Sequence, residues 1–378
     1  MDIFRTAFRF IRYDRTKSIG IVIGIIISTF LIGQQLGIFT FLTGLMSSIV
    51  DNSNAPIWVI DNKTKDVNQV GRFDIRYLSE IRSLPGVERA YPVVFAGGTA
   101  LMPNGNSVNV LLIGSDAPEF VIGPNPTKIE KGSQADLVPD GAISIDYFDS
   151  NLYGEDIDVG STFEINGKEA RVAVQTRNLR GFGSSQIFTP IDRARFYGNL
   201  PTTTINAILV IPKKAQETNL VIDEINSRFP QLRAWEKRAL SRSSVLEILG
   251  SSGIASSTGT LIVFALITGI LIIGLTMYSS VLDRLKDYGT MKAIGANNRY
   301  LARLLLCQAF MFAIVGFVLA WSLLEIFRFA VVGTGLLIRY RWWEIAGIFI
   351  ITSTISAGGM LFALYRLKGV EPASVFRT

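Results

Sequence analysis

Histidine is absent from the 378 residues, and cysteine occurs once, as Cys307. No imidazole is therefore on hand for acid–base catalysis, no Cys/His zinc site can form, and a single thiol closes no intrachain disulfide. Cys307 falls inside an apolar run, where a thiol reads as a buried, inert side chain. A GxxxxGK[ST] loop is missing, so this chain holds no nucleotide through a P-loop. HExxH and GxSxG are missing too, and with them the metalloprotease and nucleophile-elbow readings. Asp136, Asp140, Asp146, Asp149, Asp156 and Asp158 form an acidic stretch without the ligand spacing or closing Glu of an EF-hand loop; it reads as solvated turns.

Apolar residues, by contrast, are plentiful. They make up 49% of the chain, the mean hydropathy is +0.35, and they gather in long runs near the two ends. Ile19 to Leu42 is uncharged over 24 residues. At ~1.5 Å per residue that is roughly 36 Å, enough to cross a ~30 Å hydrocarbon core. A cleavable signal peptide would have a much shorter apolar region followed by a small-x-small site. Four transmembrane helices are expected, over residues 18–42, 258–282, 301–331 and 344–366. Residues 1–17 form a separate amphipathic helix on the cytoplasmic face, with Phe4, Ala7, Phe8 and Ile11 on one side and Arg5, Arg9 and Arg12 on another. Membrane lipid is its expected neighbour.

Charge sets the orientation. The three segments flanking the spans on one side (residues 1–17, 283–303 and 365–378) carry 13 basic side chains against five acidic ones, whereas residues 43–250 carry 21 against 24. Positive charge is retained inside. Both termini and the 283–300 connection are therefore expected in the cytoplasm, with residues 43–250 outside. Arg339 and Arg341, between the third and fourth runs, are an exception, beside Trp342 and Trp343 of an interfacial belt. The pI of about 9.4 thus reflects topology, and no element for reading nucleic acid is present.

Residues 43–250 alternate strand-like and helix-like segments. Ile75, Leu78 and Ile81 mark one helix face, as do Thr218, Ile222, Ile225 and Phe229 another; Asn104-Gly105 and Asn166-Gly167 are hairpin signals. The pattern predicts an α+β domain whose end pieces, 43–115 and 204–245, pack together around an inserted β-rich subdomain at about 116–203. Gly250 to Gly253 and Ser256-Ser257 break the approach to the second span, as a hinge or a plain linker. The fold class is thus a four-span helical membrane protein with a large α+β extracytoplasmic domain. Ionisable groups near the spans are few: Glu325 and Arg328 lie three residues apart at an outer end, with Gln34, Gln35 and Gln308 elsewhere. No charged relay crosses the bilayer, which disfavours an ion-driven transporter. Small residues in the spans (Gly20, Gly24 and Ser28; Gly269 and Gly274) permit close helix contact.

The segment Asp283 to Leu301, DRLKDYGTMKAIGANNRYL, is the most informative. It reads as a short cytoplasmic helix, Gly289 to Ile294, stopped by Gly295, that exposes Tyr288, Met291 and Ile294 for a protein partner. Asp287, Tyr288, Gly289, Met291, Lys292, Ala293, Ile294, Gly295 and Ala296 together resemble the coupling-helix pattern of the FtsX/MacB-type (type VII) ABC transporter permeases. The ending Val370 to Arg377 is similar to that family's Pro-Ala tail within the cytoplasmic segment 367–378, and Gln35-Leu36-Gly37 with Tyr288 and Arg299-Tyr300-Leu301 looks most like the DevC branch.

This resemblance implies a permease that is not itself an enzyme. A separate ABC ATPase subunit would carry ATP and Mg, and this chain would bind no cofactor or metal. It further implies a homodimer in a bacterial inner membrane, which passes ATPase motion to its periplasmic domain by mechanotransmission. DevC-like relatives imply export with a periplasmic adaptor of the membrane-fusion type and an outer-membrane duct. The alternative is a regulatory mechanotransducer that controls a cell-wall hydrolase or senses an envelope signal.

Overall fold

The computed structural model describes residues 3–154 and 156–368. The tail from Val370 to Arg377, expected to carry the Pro-Ala ending, lies outside the described residues. The chain forms two compact units. One comprises Met1–Phe41, Ile254–Val332 and Leu336–Thr378; the other comprises Leu42–Gly253 with Gly333–Gly335.

The first helix, α1, spans Ile3–Tyr13. Ile3, Ala7, Phe10 and Ile11 recur at helical spacing and pack against the core of the first unit, where Ala7 is wholly buried. Phe4 and Phe8 stay outside this contact, 62% and 55% exposed, so the apolar sector is wider than the expected single face. Asp14 ends α1 and starts α2, Arg15–Met46: its carboxylate accepts from the Lys17 backbone N–H at 3.4 Å. Aspartate suits this position because it satisfies an otherwise unpaired N–H of the first turn.

The second unit is built on strands β1 (Ile57–Asp61), β2 (Val87–Leu101), β3 (Ser107–Ser115), β4 (Ala142–Asp146), β5 (Thr162–Ile165), β6 (Lys168–Thr176), β7 (Ser185–Pro190), β8 (Ala207–Pro212) and β9 (Leu232–Glu236). Its longer helices are α3 (Arg76–Arg82), α4 (Ile191–Gly198), α5 (Thr218–Arg228) and α6 (Lys237–Ser252). With Ile129–Lys131 the nine strands make one ten-stranded mixed sheet. Strand β2 joins its two parts. Its first half pairs with β8, its second half with β3, and its last two residues with β5. Ala90 to Ala96 of β2 are buried on both faces, which explains an unbroken run of small and apolar residues there.

Strands β1, β8 and β9 bring the two ends of this unit together. Leu78 and Ile81 of α3 and Val221 and Ile225 of α5 cover one face; Trp58, Val93 and Leu240 belong to the cluster on the other. Strands β4, β5, β6 and β7 enclose a further core around Tyr153, Phe163 and Ile187. Both Asn-Gly hairpins form. Asn166 and Gly167 sit at φ +51° and +74°, the left-handed pair that a two-residue turn between β5 and β6 requires.

Asp146 and Asp149, expected in solvated turns, are instead 1% exposed. Asp146 accepts from the Leu179 N–H at 2.7 Å and the Phe148 N–H at 3.1 Å. Asp149 pairs with Arg180 at 2.7 Å and accepts from the Ser185 hydroxyl at 2.5 Å, and Arg180 donates on to the Gly335 carbonyl at 3.0 Å. Desolvation pushes the Asp146 carboxyl up to about 6 and raises that of Asp149.

The first unit continues with α7 (Ile254–Asp283), α8 (Leu285–Ala293), α9 (Asn298–Val331) and α10 (Trp342–Lys368). Among the described residues four helices are long and apolar enough to cross a membrane: α2, α7, α9 and α10. Gly253, at φ +69°, separates α6 from α7 where the two units meet in the chain.

Gly24, Ser28, Gly269 and Gly274, four of the small residues expected to permit close helix contact, make such contacts within the chain. A Cβ on Gly24 would lie 2.7 Å from Ile272, one on Gly269 would lie 2.7 Å from Ser28, and one on Gly359 would lie 3.0 Å from the Gly274 backbone. Close approach of α2 and α10 to α7 therefore explains these glycines. Thr29 and Thr352 share a hydrogen bond at 3.0 Å, and Ser356 donates to the Ala309 carbonyl at 2.8 Å. In the absence of water these pairings satisfy hydroxyls that lipid cannot. Glu325 and Arg328 pair at 2.6 Å along one face of α9.

Candidate functional site

The stretch between α7 and α9 is a short helix, closed at its end by a backbone turn that leads directly into a side-chain cap on α9. In α8, Asp287 lies in the first turn and Lys292 in the last, each at the end of the helix dipole that favours its charge. The helix runs from Leu285 to Ala293, one turn longer at its start than the Gly289–Ile294 expected from the sequence. At its end Ala296 N–H bonds the Met291 carbonyl at 2.9 Å and Gly295 N–H bonds the Lys292 carbonyl at 3.0 Å. These two bonds form a Schellman motif. It places Gly295 at φ +105°, where a side chain would strain the backbone. Asn297 then caps α9, its carboxamide oxygen accepting from Tyr300 N–H at 2.8 Å. The Ile-Gly-Ala-Asn sequence is thus a helix stop followed directly by a helix start.

This geometry divides the expected site residues. Asp287, Ala293, Ile294 and Gly295 face outward, with Ile294 83% exposed at the tip of the turn. Met291, Lys292 and Ala296 are half-buried, and Met291 and Ala296 pack against the core of the unit. Tyr288 and Gly289 face inward. The expectation of an exposed set of Tyr288, Met291 and Ile294 is therefore corrected: Tyr288 is 2% exposed. Its ring lies against Phe10 of α1. Burial pushes its hydroxyl above the usual tyrosine range.

Further contacts beside this helix were not foreseen from the sequence. Arg284, between α7 and α8, is 8% exposed, with its guanidinium 4.8 Å from the ring centroids of both Phe10 and Tyr13. Such cation–π contacts offset the cost of withdrawing the charge from water. Lys17, the last charge before the apolar run of α2, pairs with Asp283 and donates to the Ser279 carbonyl at 3.1 Å. Among the described residues no group of three or more His, Cys, Asp or Glu side chains could hold a metal.

Two family models match. The FtsX-like permease C-terminal model covers residues 259–372, and the MacB-like periplasmic core domain model covers residues 18–228. An uncharacterized ABC transporter permease of Methanocaldococcus jannaschii is 26% identical over 370 residues, covering 91% of this chain and 89% of that protein. Another from Mycobacterium tuberculosis is 27% identical over 308 residues, covering 79% and 77%. Solved structures with a similar domain include two at 12% identity. The periplasmic region of MacB from Actinobacillus actinomycetemcomitans matches with a TM-score of 0.38, covering 52% of this chain and 94% of that one. The extracellular domain of the noncanonic ABC-type transporter YknZ from Gram-positive bacteria matches with a TM-score of 0.36, covering 48% and 99%.

Proposed function

The chain belongs to the ABC transporter permeases that join a MacB-like periplasmic core to an FtsX-like C-terminal domain, and from that premise we propose that α8 is the helix through which a separate ATPase drives it. The observation that carries this reading is the division of α8. Ile294 is presented at the tip of a stiff Schellman turn, while Tyr288 and Gly289 are anchored in the helix bundle. An apolar tip suits a groove on a partner, and an anchored shaft suits the transfer of force.

In this reading Asp287, Lys292, Ala293, Ile294 and Gly295 meet the ATPase, and Tyr288, Gly289, Met291 and Ala296 hold α8 to the permease. ATP and Mg belong to the partner. Closure of a dimeric ATPase moves two copies of this chain, and α7 passes the motion to the periplasmic domain. Both termini lie in the cytoplasm of a bacterium whose inner membrane holds the four spans. The DevC-like features support export, with a periplasmic adaptor and an outer-membrane duct completing the path. The exposed Leu261, Phe264, Ile267, Leu271 and Leu275 of α7 are a suitable face for a second copy or for lipid.

Affinity purification of the tagged chain from membranes tests the assignment. Recovery of an ABC ATPase with a periplasmic adaptor supports export. An ATPase with a cell-wall hydrolase or its activator moves the assignment to the regulatory alternative, and recovery without any ATPase overturns the coupling role of α8.

A further inference from the structure

We propose that α1 is an anionic-lipid contact which sets the strength of coupling, with phospholipid headgroups on one side of the helix and the α7–α8 joint on the other; this rests on α8 being the coupling helix.

Around the axis of α1 three strips follow one another. Ile3, Ala7, Phe10 and Ile11 face the protein; Phe4 and Phe8 come next; Arg5, Arg9 and Arg12 follow. Phe4 and Phe8 are exposed, as are all three arginines, which form no ion pair among the described residues. Two acids near this end of the unit are engaged elsewhere. Asp14 caps α2 and Asp283 pairs with Lys17. The position of this surface selects its occupant. Tyr13 is six residues from Ile19, where the uncharged run of α2 begins, so the end of α1 lies within ~9 Å of the hydrocarbon edge. Phenylalanines beside arginines at that depth match the boundary between acyl chains and negatively charged headgroups.

The opposite side of the same helix holds the joint. Phe10 and Tyr13 sandwich Arg284, the residue between α7 and α8, and Phe10 also supports Tyr288 of α8. α1 therefore touches both the link between α7 and α8 and the shaft of α8. Seating α1 on an anionic surface keeps this clamp closed, and weakening the seat leaves α8 free to move without carrying α7 with it.

The full chain is reconstituted with its ATPase in phosphatidylcholine vesicles, and in vesicles where part of that lipid is replaced by phosphatidylglycerol. Stimulated ATP hydrolysis is expected to be several-fold higher with phosphatidylglycerol. In R5Q/R9Q/R12Q the difference is expected to vanish while the rate in phosphatidylcholine stays that of the wild type. Native mass spectrometry of the permease alone reads the contact without the ATPase. The phosphatidylglycerol preference should fall on the order of a hundredfold in the triple variant. Retention of wild-type lipid preference by that variant overturns the lipid contact, and loss of lipid preference with an unchanged lipid-dependent rate overturns its link to coupling. A wild-type chain that stimulates hydrolysis in neither vesicle overturns the coupling reading itself, with the lipid contact still decided by the mass spectra.

Discussion

Tyr288 of α8 rests on Phe10 of α1 with ring centroids 5.6 Å apart and planes tilted by 40°. Tyr288 belongs to the same hydrophobic cluster as Leu304 and Leu305 of α9, and Phe10 packs against that cluster. Tyr288→Phe keeps the ring and its packing and removes a hydroxyl, so stability should stay within about 1 kcal/mol of wild type. Tyr288→Ala removes the ring as well, and a cost of about 3–5 kcal/mol is expected. Thermal unfolding of the full chain in detergent compares the two. Equal stability of wild type and both variants would show that α8 is not anchored here.

Ile294 and Met291 were equivalent in the sequence and are not equivalent in the structure. Ile294 is 83% exposed, whereas Met291 packs against the core of the membrane unit. Ile294→Asp should therefore leave stability within about 0.5 kcal/mol of wild type. Loss of an apolar contact worth ~1.5–3 kcal/mol should weaken ATPase binding roughly tenfold to a hundredfold. Met291→Asp should lower the unfolding temperature too, because it places a charge against apolar neighbours. Co-purification and melting curves separate these effects, and a folded Ile294→Asp chain that binds ATPase as wild type does would remove the tip from the coupling surface.

Much of the architecture was legible in the residues, for physical reasons. Uncharged runs longer than 20 residues have few alternatives to a membrane span, and Asn-Gly between apolar runs leaves little but a hairpin. Gly295 was legible as a helix stop because only the left-handed region suits that turn. What stayed hidden depended on partners far away in the chain. The burial of Tyr288 and the clasp on Arg284 follow from where α1 lies, and local periodicity in α8 carries no trace of it. Asp146 and Asp149 sit in a stretch whose glycines, prolines and acids look solvated, yet Arg180, Ser185 and the Leu179 backbone supply the bonds that allow their burial.

The glycines of the spans offer a test of where the close contacts lie. A Cβ on Gly269 would sit 2.7 Å from Ser28 and 3.1 Å from Ile355, whereas one on Gly20 would meet Thr276 at an ordinary 3.6 Å. Gly269→Ala should therefore cost about 1–3 kcal/mol through overpacking, and Gly20→Ala should be nearly neutral. Cross-linking between copies should change in neither variant so long as the chain is folded. Reduced cross-linking at unchanged melting temperature in both would assign these glycines to a contact between copies.

The periplasmic-core unit should be less stable as pH rises from about 4 to about 6. Asp146 ionises at about 6 in the folded chain against 3.8 ordinarily, because burial opposes its charge more than its hydrogen bonds favour it. A carboxyl whose folded value is raised binds its proton more tightly when folded. Its stabilising contribution is complete below 3.8 and is lost as pH climbs through 6. The difference of roughly two units corresponds to about 3 kcal/mol, and Asp149 acts in the same direction. Melting temperatures of the full chain between about pH 4 and pH 7 should therefore fall for the wild type. Asp146→Asn should be less stable at low pH, since its amide cannot accept from both backbone N–H groups, and its melting temperature should depend much less on pH. A slope as steep in the variant as in the wild type would assign the titration to another group.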